Sequence, residues 1–224
     1  EVIDLRNFYM LPGLVDSHGH MTHLGKNQYE VDLRDCNSEF EVVEKIKTFL
    51  DLNNNLPWVN GGGWNQEKFD TKLLPDNKYL SINFPDIPVT LSRIDGHAIW
   101  CNKKALDMAN IHEDTLVPDG GEILKKDGLL TGILVDKAQQ LIRNIIPSES
   151  IEDVKKWILK AQEICLSKGL TEVHDAGISS IQFDAYKELI NENKLKIRVY
   201  AMANQELFEN NVSKFKSELF DLKS

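Results

Sequence analysis

The sequence predicts an α/β fold, and three observations carry that expectation. Ile151, Val154, Ile158, Ala161 and Cys165 recur at three- and four-residue steps behind Ser150-Ile151-Glu152-Asp153, which describes an amphipathic helix ended by Gly169. A strand over Leu170–Ala176, a helix over Ile181–Asn191 and a strand over Leu195–Met202 follow, and such alternation implies parallel strands joined by crossover helices. Near the other end, Pro12-Gly13 signals a turn and the apolar Leu14-Val15 carries a further short strand, about Leu11 to His20.

Taken in order, Val2–Leu5 alternates apolar and charged residues, like the edge of a small sheet. Ser38-Glu39-Phe40-Glu41 reads as a capping box, and Val42, Val43, Ile46, Phe49 and Leu50 then keep helical spacing as far as Asn53-Asn54-Asn55. Trp58-Val59-Asn60 forms a short strand that runs into Gly61-Gly62-Gly63-Trp64, read as a turn. It is no phosphate loop, because no Gly-Lys-Ser/Thr follows it. Pro88–Arg93 is a strand leading to Asp95-Gly96-His97, and Asn102 caps a short helix over Lys103–Met108. Gly121–Leu124 and Leu129–Val135 flank Asp127-Gly128, a hairpin signal. Asp136 is expected to cap a helix reaching Ile146, which Pro147 stops, and the tail from Gln205 to Ser224 is amphipathic enough for one more helix. The segment from Leu24 to Glu149 holds most of the turn signals, which divides the chain into 1–23, 24–149 and 150–224.

Composition narrows the functions. A chain of 224 residues with 42% hydrophobic and 27% charged residues is ordinary for a globular protein. Its net charge of −9, spread along the chain, argues against nucleic acid as a partner. No apolar run approaches the ~20 residues that cross a bilayer, so no membrane partner is expected either. Cys36, Cys101 and Cys165 are odd in number and match no CxxC pattern, which reads as reduced thiols and a cytoplasmic location. Glu1 is not an initiator methionine and Val2–Leu5 reads as a strand entered midway, so an upstream segment is expected.

The chemistry concentrates in Met10-Leu-Pro-Gly-Leu-Val-Asp-Ser-His-Gly-His20. Alternation along a strand points Asp16, His18 and His20 the same way. Two imidazoles at i and i+2 converge on one cation, and neutral imidazole suits zinc and its first-row neighbours. Asp16 lies a layer deeper, where a hydrogen-bonding role fits better than ligation, and His23 reads as a solvated loop histidine. His174 and Asp175 sit at the carboxyl end of their strand, where α/β barrels carry chemistry.

Pro-Gly-Leu-Val-Asp-Ser-His-Gly-His resembles the first barrel strand of the amidohydrolase superfamily. Gly-Gly-Gly-Trp, Pro-Val-Thr-Leu-Ser-Arg-Ile-Asp-Gly-His, Gly-Gly-Glu-Ile, Leu-Thr-Gly-Ile-Leu and Gly-Leu-Thr-Glu-Val-His-Asp-Ala-Gly follow in family order, most similar to its N-substituted formamide deformylase-like branch. The resemblance implies a partial (β/α)8 TIM barrel with a large mixed α/β insertion after its first strand. Leu11–His20, Leu170–Ala176 and Leu195–Met202 would be the first three barrel strands, residues 24–149 the insertion, and the amino-terminal residues the end of a small β-sandwich. It further implies His18 and His20 as ligands of one or two divalent ions, zinc by preference, and a pocket near Trp64, His97, Trp100, His174 and Asp175. The substrate would be a small-molecule amide, cleaved at a C–N bond other than a peptide bond by a metal-activated water.

The family's bridging lysine, two further histidines and general-base aspartate have no counterpart before Ser224, so the general base is expected beyond it. A catalytic zinc typically needs three protein ligands, and this stretch offers two. The chain therefore reads as an amino-terminal fragment with little activity alone, and a homodimer is left open. A metal-dependent phosphoesterase, since other barrel hydrolases share Asp-x-His-x-His, and a metal-free binding module are the rival readings.

Overall fold

The computed structural model describes residues 4, 6, 7, 9–53 and 56–218, with side chains as far as residue 211. In chain order the elements are β1 (Leu14–Gly19), α1 (Met21–Lys26), β2 (Val31–Asp32), α2 (Glu39–Leu52), β3 (Val59–Trp64), α3 (Asn77–Asn83), β4 (Val89–Arg93), β5 (Ala98–Cys101), α4 (Lys103–Met108), β6 (Gly121–Lys126), β7 (Leu129–Asp136), α5 (Gln140–Arg143), α6 (Ile151–Ser167), β8 (Leu170–Ile178), α7 (Ser180–Asn191), β9 (Arg198–Ala203) and α8 (Gln205–Glu218). Of the edge strand expected over Val2–Leu5 all but Asp4 lies outside the described residues, as do Asn54, Asn55 and the end of the tail beyond α8. No helix among those described is long and apolar enough to cross a membrane.

The contacts divide the chain into two units, Glu1–Gln28 with Glu149–Ser224, and Tyr29–Ser148. In the first, β1, β8 and β9 form a parallel sheet in that order. Ser150 opens α6 with a reciprocal capping box on Asp153, and the stripe anticipated from the sequence buries Val154, Ile158, Ala161 and Cys165. They meet Val173 of β8 and Ala185, Tyr186 and Leu189 of α7. At α1, an added Cβ on Gly25 would run into the Trp157 carbonyl of α6, so only glycine lets the two helices approach this closely. Lys155, its side chain 9% exposed, ties α6 to α7 by reaching Glu188 at 3.0 Å and Glu192 at 2.6 Å as well as Glu152 at 3.1 Å.

The second unit is a mixed six-stranded sheet in the order β2-β3-β4-β5-β7-β6, parallel from β2 to β4 and antiparallel beyond. A core lies on each face. All four residues of β5 are buried, Ala98 and Trp100 in one cluster and Ile99 and Cys101 in the other. A strand covered on both faces shows no alternation, which is why this one was not anticipated. Asn102 caps α4 by accepting from the Ala105 amide at 3.0 Å; it also accepts from the Val89 amide and donates to the Phe84 and Ile87 carbonyls. Asp127 and Gly128 turn the β6–β7 hairpin with φ of 53° and 79°.

Two expectations are corrected. The glycine run is the body of β3, not a turn: Gly63, at φ 96°, lies against Arg34 where no side chain would fit. Asp136 caps nothing; it has φ 47° and ψ −120°, makes no side-chain cap bond, and the helical stretch behind it runs only from Lys137 to Arg143. Its carboxylate bonds His97 instead. All three cysteines are free and buried, and burial pushes the Cys101 thiol up to about 12.

Candidate functional site

Sequence order places the histidine motif at the carboxyl end of β1, where the strand turns into α1. The ladder with β8 pairs Asp16 with Val173 and then Gly19 with Asp175, so β1 spends one residue more than its partner. That bulge breaks the strict alternation expected from Asp16 to His20. Asp16 holds the bulge by accepting from the His18 amide at 3.1 Å; the hydrogen-bonding role expected of it is met, but by a half-buried side chain and not a buried one. His18 and His20 still come together: both are exposed, and their ring centroids lie 5.5 Å apart at an interplanar angle of 87°. Two imidazoles on one tetrahedral zinc, with Zn–N near 2.1 Å, put their centroids roughly 5 Å apart, so the pair has the separation that shared ligation needs.

The His20 ring has a fixed donor. Its Nδ1 lies 3.0 Å from the Ala176 carbonyl oxygen. A carbonyl only accepts, so Nδ1 carries the proton and the Nε2 lone pair remains for a metal. His23 lies on α1 and not in a loop; it is exposed, with its ring 6.0 Å from that of His20. Among the described residues no group of three or more His, Cys, Asp or Glu side chains is placed to hold a metal.

His174 and Asp175, expected together in the pocket, fall on opposite faces of β8 because neighbouring strand residues must. His174, half-buried, lies 3.3 Å from a Glu172 carboxylate oxygen and 4.9 Å from the Tyr200 ring. Glu172 also accepts from Arg198 at 2.9 Å, and Arg198 holds its carboxyl below the usual range. Asp175 is 2% exposed on the helix-facing side. One of its oxygens accepts from the Met21 amide at 2.9 Å and the other from the Tyr186 hydroxyl at 2.6 Å. Burial pushes Asp175 up while both donors pull it down. Burial, reinforced by the neighbouring carboxylate, lifts Tyr186 well above its ordinary value, so the phenol keeps its proton. Tyr186 was not anticipated, because nothing local to it in the sequence signals a partner on β8.

The remaining pocket residues belong to the other unit. Trp64 and Trp100 do not line a pocket there: both are 0% exposed and meet edge to face with centroids 6.1 Å apart. Their indole N–H groups donate to the carbonyls of Leu91, at 2.8 Å, and Asp76, at 3.1 Å. Large aromatic surfaces stabilise most when buried whole, provided the N–H finds an acceptor. His97 is the exposed member, its Nδ1 2.8 Å from Asp136, which raises its pKa. Asp95 accepts from the His97 amide at 3.0 Å and pairs with Arg93 at 2.8 Å. Asp136 was missed as a partner of His97 because the pairing arises across adjacent strands, whereas Asp95 is bonded within the turn that leads to His97.

The profile of the amidohydrolase family matches residues 1–219. The chain belongs to that family. YtcJ of Bacillus subtilis (strain 168), which carries an amidohydrolase name, is 36% identical over 92% of this amidohydrolase chain and 40% of its own length. The N-substituted formamide deformylase of Arthrobacter pascens is 28% identical over 84% of the chain and 36% of its length. The protein LONG AFTER FAR-RED 3 of Arabidopsis thaliana is 31% identical over 78% of the chain and 30% of its length. Among solved structures, an uncharacterized metal-dependent hydrolase from Pyrococcus horikoshii OT3 superposes with a TM-score of 0.68 at 28% identity, covering 91% of this chain and 38% of that one. The chain thus spans well under half the length of the relatives it matches.

Proposed function

We propose that this amidohydrolase chain supplies His18 and His20 to the divalent-metal site of a hydrolase that cleaves C–N bonds in small amides of the N-substituted formamide kind. The observation that carries the reading is the paired imidazoles, 5.5 Å apart at the carboxyl end of a parallel strand, one with its Nδ1 proton committed to Ala176. The names of the relatives support a metal and an amide-like substrate, and the whole protein's activity is inferred from them.

One or two divalent ions held there, zinc by preference, would lower the pKa of bound water toward ~7 and polarise the substrate carbonyl. The chain's own contribution is orientation. Asp16 fixes the bulge that turns His18 toward His20, and Ala176 fixes the tautomer of His20. Among the described residues no third ligand is grouped with this pair. In this reading β1, β8 and β9 are the first three strands of a (β/α)8 barrel and the six-stranded unit is the insertion after the first. His97 and His174 remain the candidates for contact with substrate.

The test is hydrolysis of an N-substituted formamide by the natural full-length protein, followed as formate released. The double variant His18→Ala/His20→Ala should lose at least ~100-fold in kcat/KM. An unchanged rate would remove the two histidines from the site. Turnover of a phosphodiester with none of the amide would replace the amide by the phosphoester reading.

A further inference from the structure

The geometry points to Asp175 and Tyr186 as positioning residues for His20, an inference that rests on the reading of His20 as a metal ligand. His20 occupies the position just before α1, where a side chain usually caps the first free amides of a helix, yet it makes no such bond. The bond is made from elsewhere. Asp175 of β8 accepts from the Met21 amide at 2.9 Å, and this leaves the His20 ring free of capping duty.

The next residue along β8 finishes the arrangement, because the Ala176 carbonyl accepts from His20 Nδ1 at 3.0 Å. Two consecutive residues of one strand therefore hold the main chain and the ring of the same turn. Tyr186 of α7 donates to the second Asp175 oxygen at 2.6 Å, so the carboxylate cannot rotate without losing a buried bond. With Asp175 2% and Tyr186 5% exposed, water offers no substitute partner. On its other side α1 is blocked by the contact of Gly25 with the Trp157 carbonyl. The direction of His20 Nε2 thus depends on a chain of bonds that begins at a phenol on α7.

The test uses Tyr186→Phe, which keeps the ring in the core and deletes the hydroxyl, with Asp175→Asn as a second variant and near-UV circular dichroism to verify folding. Zn(II) affinity is measured by competition with a chromogenic chelator, and the visible spectrum of the Co(II)-loaded protein reports ligand geometry. Outer partners of metal-bound histidines are typically worth 10–100-fold in affinity. Tyr186→Phe should therefore weaken Zn(II) binding by tenfold or more and shift the Co(II) bands. Affinity within twofold of wild type in both folded variants, with binding lost in His20→Ala, would overturn the positioning role while leaving the metal site in place. Equal Zn(II) binding by wild type and His18→Ala/His20→Ala would instead remove the metal site, and this inference with it. If Tyr186→Phe does not fold, Asp175→Asn decides between these outcomes.

Discussion

The two units use their polar and aromatic residues in opposite ways. In the six-stranded unit the residues that look most like pocket lining, Trp64 and Trp100, are consumed by the core, and the exposed His97 is held by carboxylates. In the three-stranded unit the histidines stay exposed at a strand end while the acid that seemed to belong with them, Asp175, goes inside to hold their backbone. The difference shows that a residue's chemistry predicts its role poorly until its face on the strand is known. Aromatic residues gain most from complete burial. A ligand pair needs the reverse: exposed donors on a buried support.

That contrast can be broken by experiment. The largest effect is expected from Trp64→Ala, which should cost about 3–5 kcal/mol in a denaturant titration, as large aromatic deletions from cores do. Zn(II) binding by the folded fraction should not change, and a matching loss of affinity at small stability cost would return Trp64 to the site. Lys155→Met should lower the melting temperature by removing the shared partner of Glu152, Glu188 and Glu192. Bonds to these carboxylates, Glu192 first, raise the Lys155 pKa, and Lys155 lowers that of Glu192. The glutamate contribution is present above its unfolded pKa, roughly 4.3, and fades as pH falls through the lower folded value. The lysine contribution is present below roughly 10.4 and fades as pH rises through the higher folded value. The difference in melting temperature should hold steady from about pH 5 to 9 and narrow below about pH 4; a constant difference down to acid pH would mean that packing, not charge, links α6 to α7.

The smallest effect belongs to His97. Its bond to Asp136 raises its pKa, so the pair stabilises fully below roughly pH 6.5 and the contribution is lost as pH rises through the elevated folded value. An NMR titration should place the His97 ring midpoint above ~6.5, and Asp136→Asn should bring it down. A midpoint indifferent to that substitution would show that the pair does not persist in solution.

What could be read from the sequence was whatever is local along the chain. The helix opened at Ser150, the Asn102 cap and the Asp127-Gly128 hairpin each depend on residues a few positions apart, and each forms as expected. The Ser38 box forms only in part: its hydroxyl accepts from the Glu41 amide, but the Glu41 carboxylate goes to the amide of Asn37. The parallel pairing of β8 with β9 followed from alternating helices and strands, and the place of β1 beside β8 from the resemblance. What escaped depends on distant partners. Gly63 is glycine because of Arg34, Asp136 looked like a cap because His97 is remote in sequence, and Tyr186 gives no sign of Asp175. At the site, the histidine pair was legible from its spacing together with the motif around it; the bulge that sets its geometry and the support from Asp175, Ala176 and Tyr186 were not.

The central claim is that His18 and His20 share a metal ion, and X-ray absorption at the zinc edge of the Zn(II)-loaded protein tests it most directly. The account predicts imidazole scattering with nitrogen at about 2.0–2.1 Å, present in wild type and lost in His18→Ala/His20→Ala. A spectrum without imidazole, or one that the double substitution leaves unchanged, would contradict it.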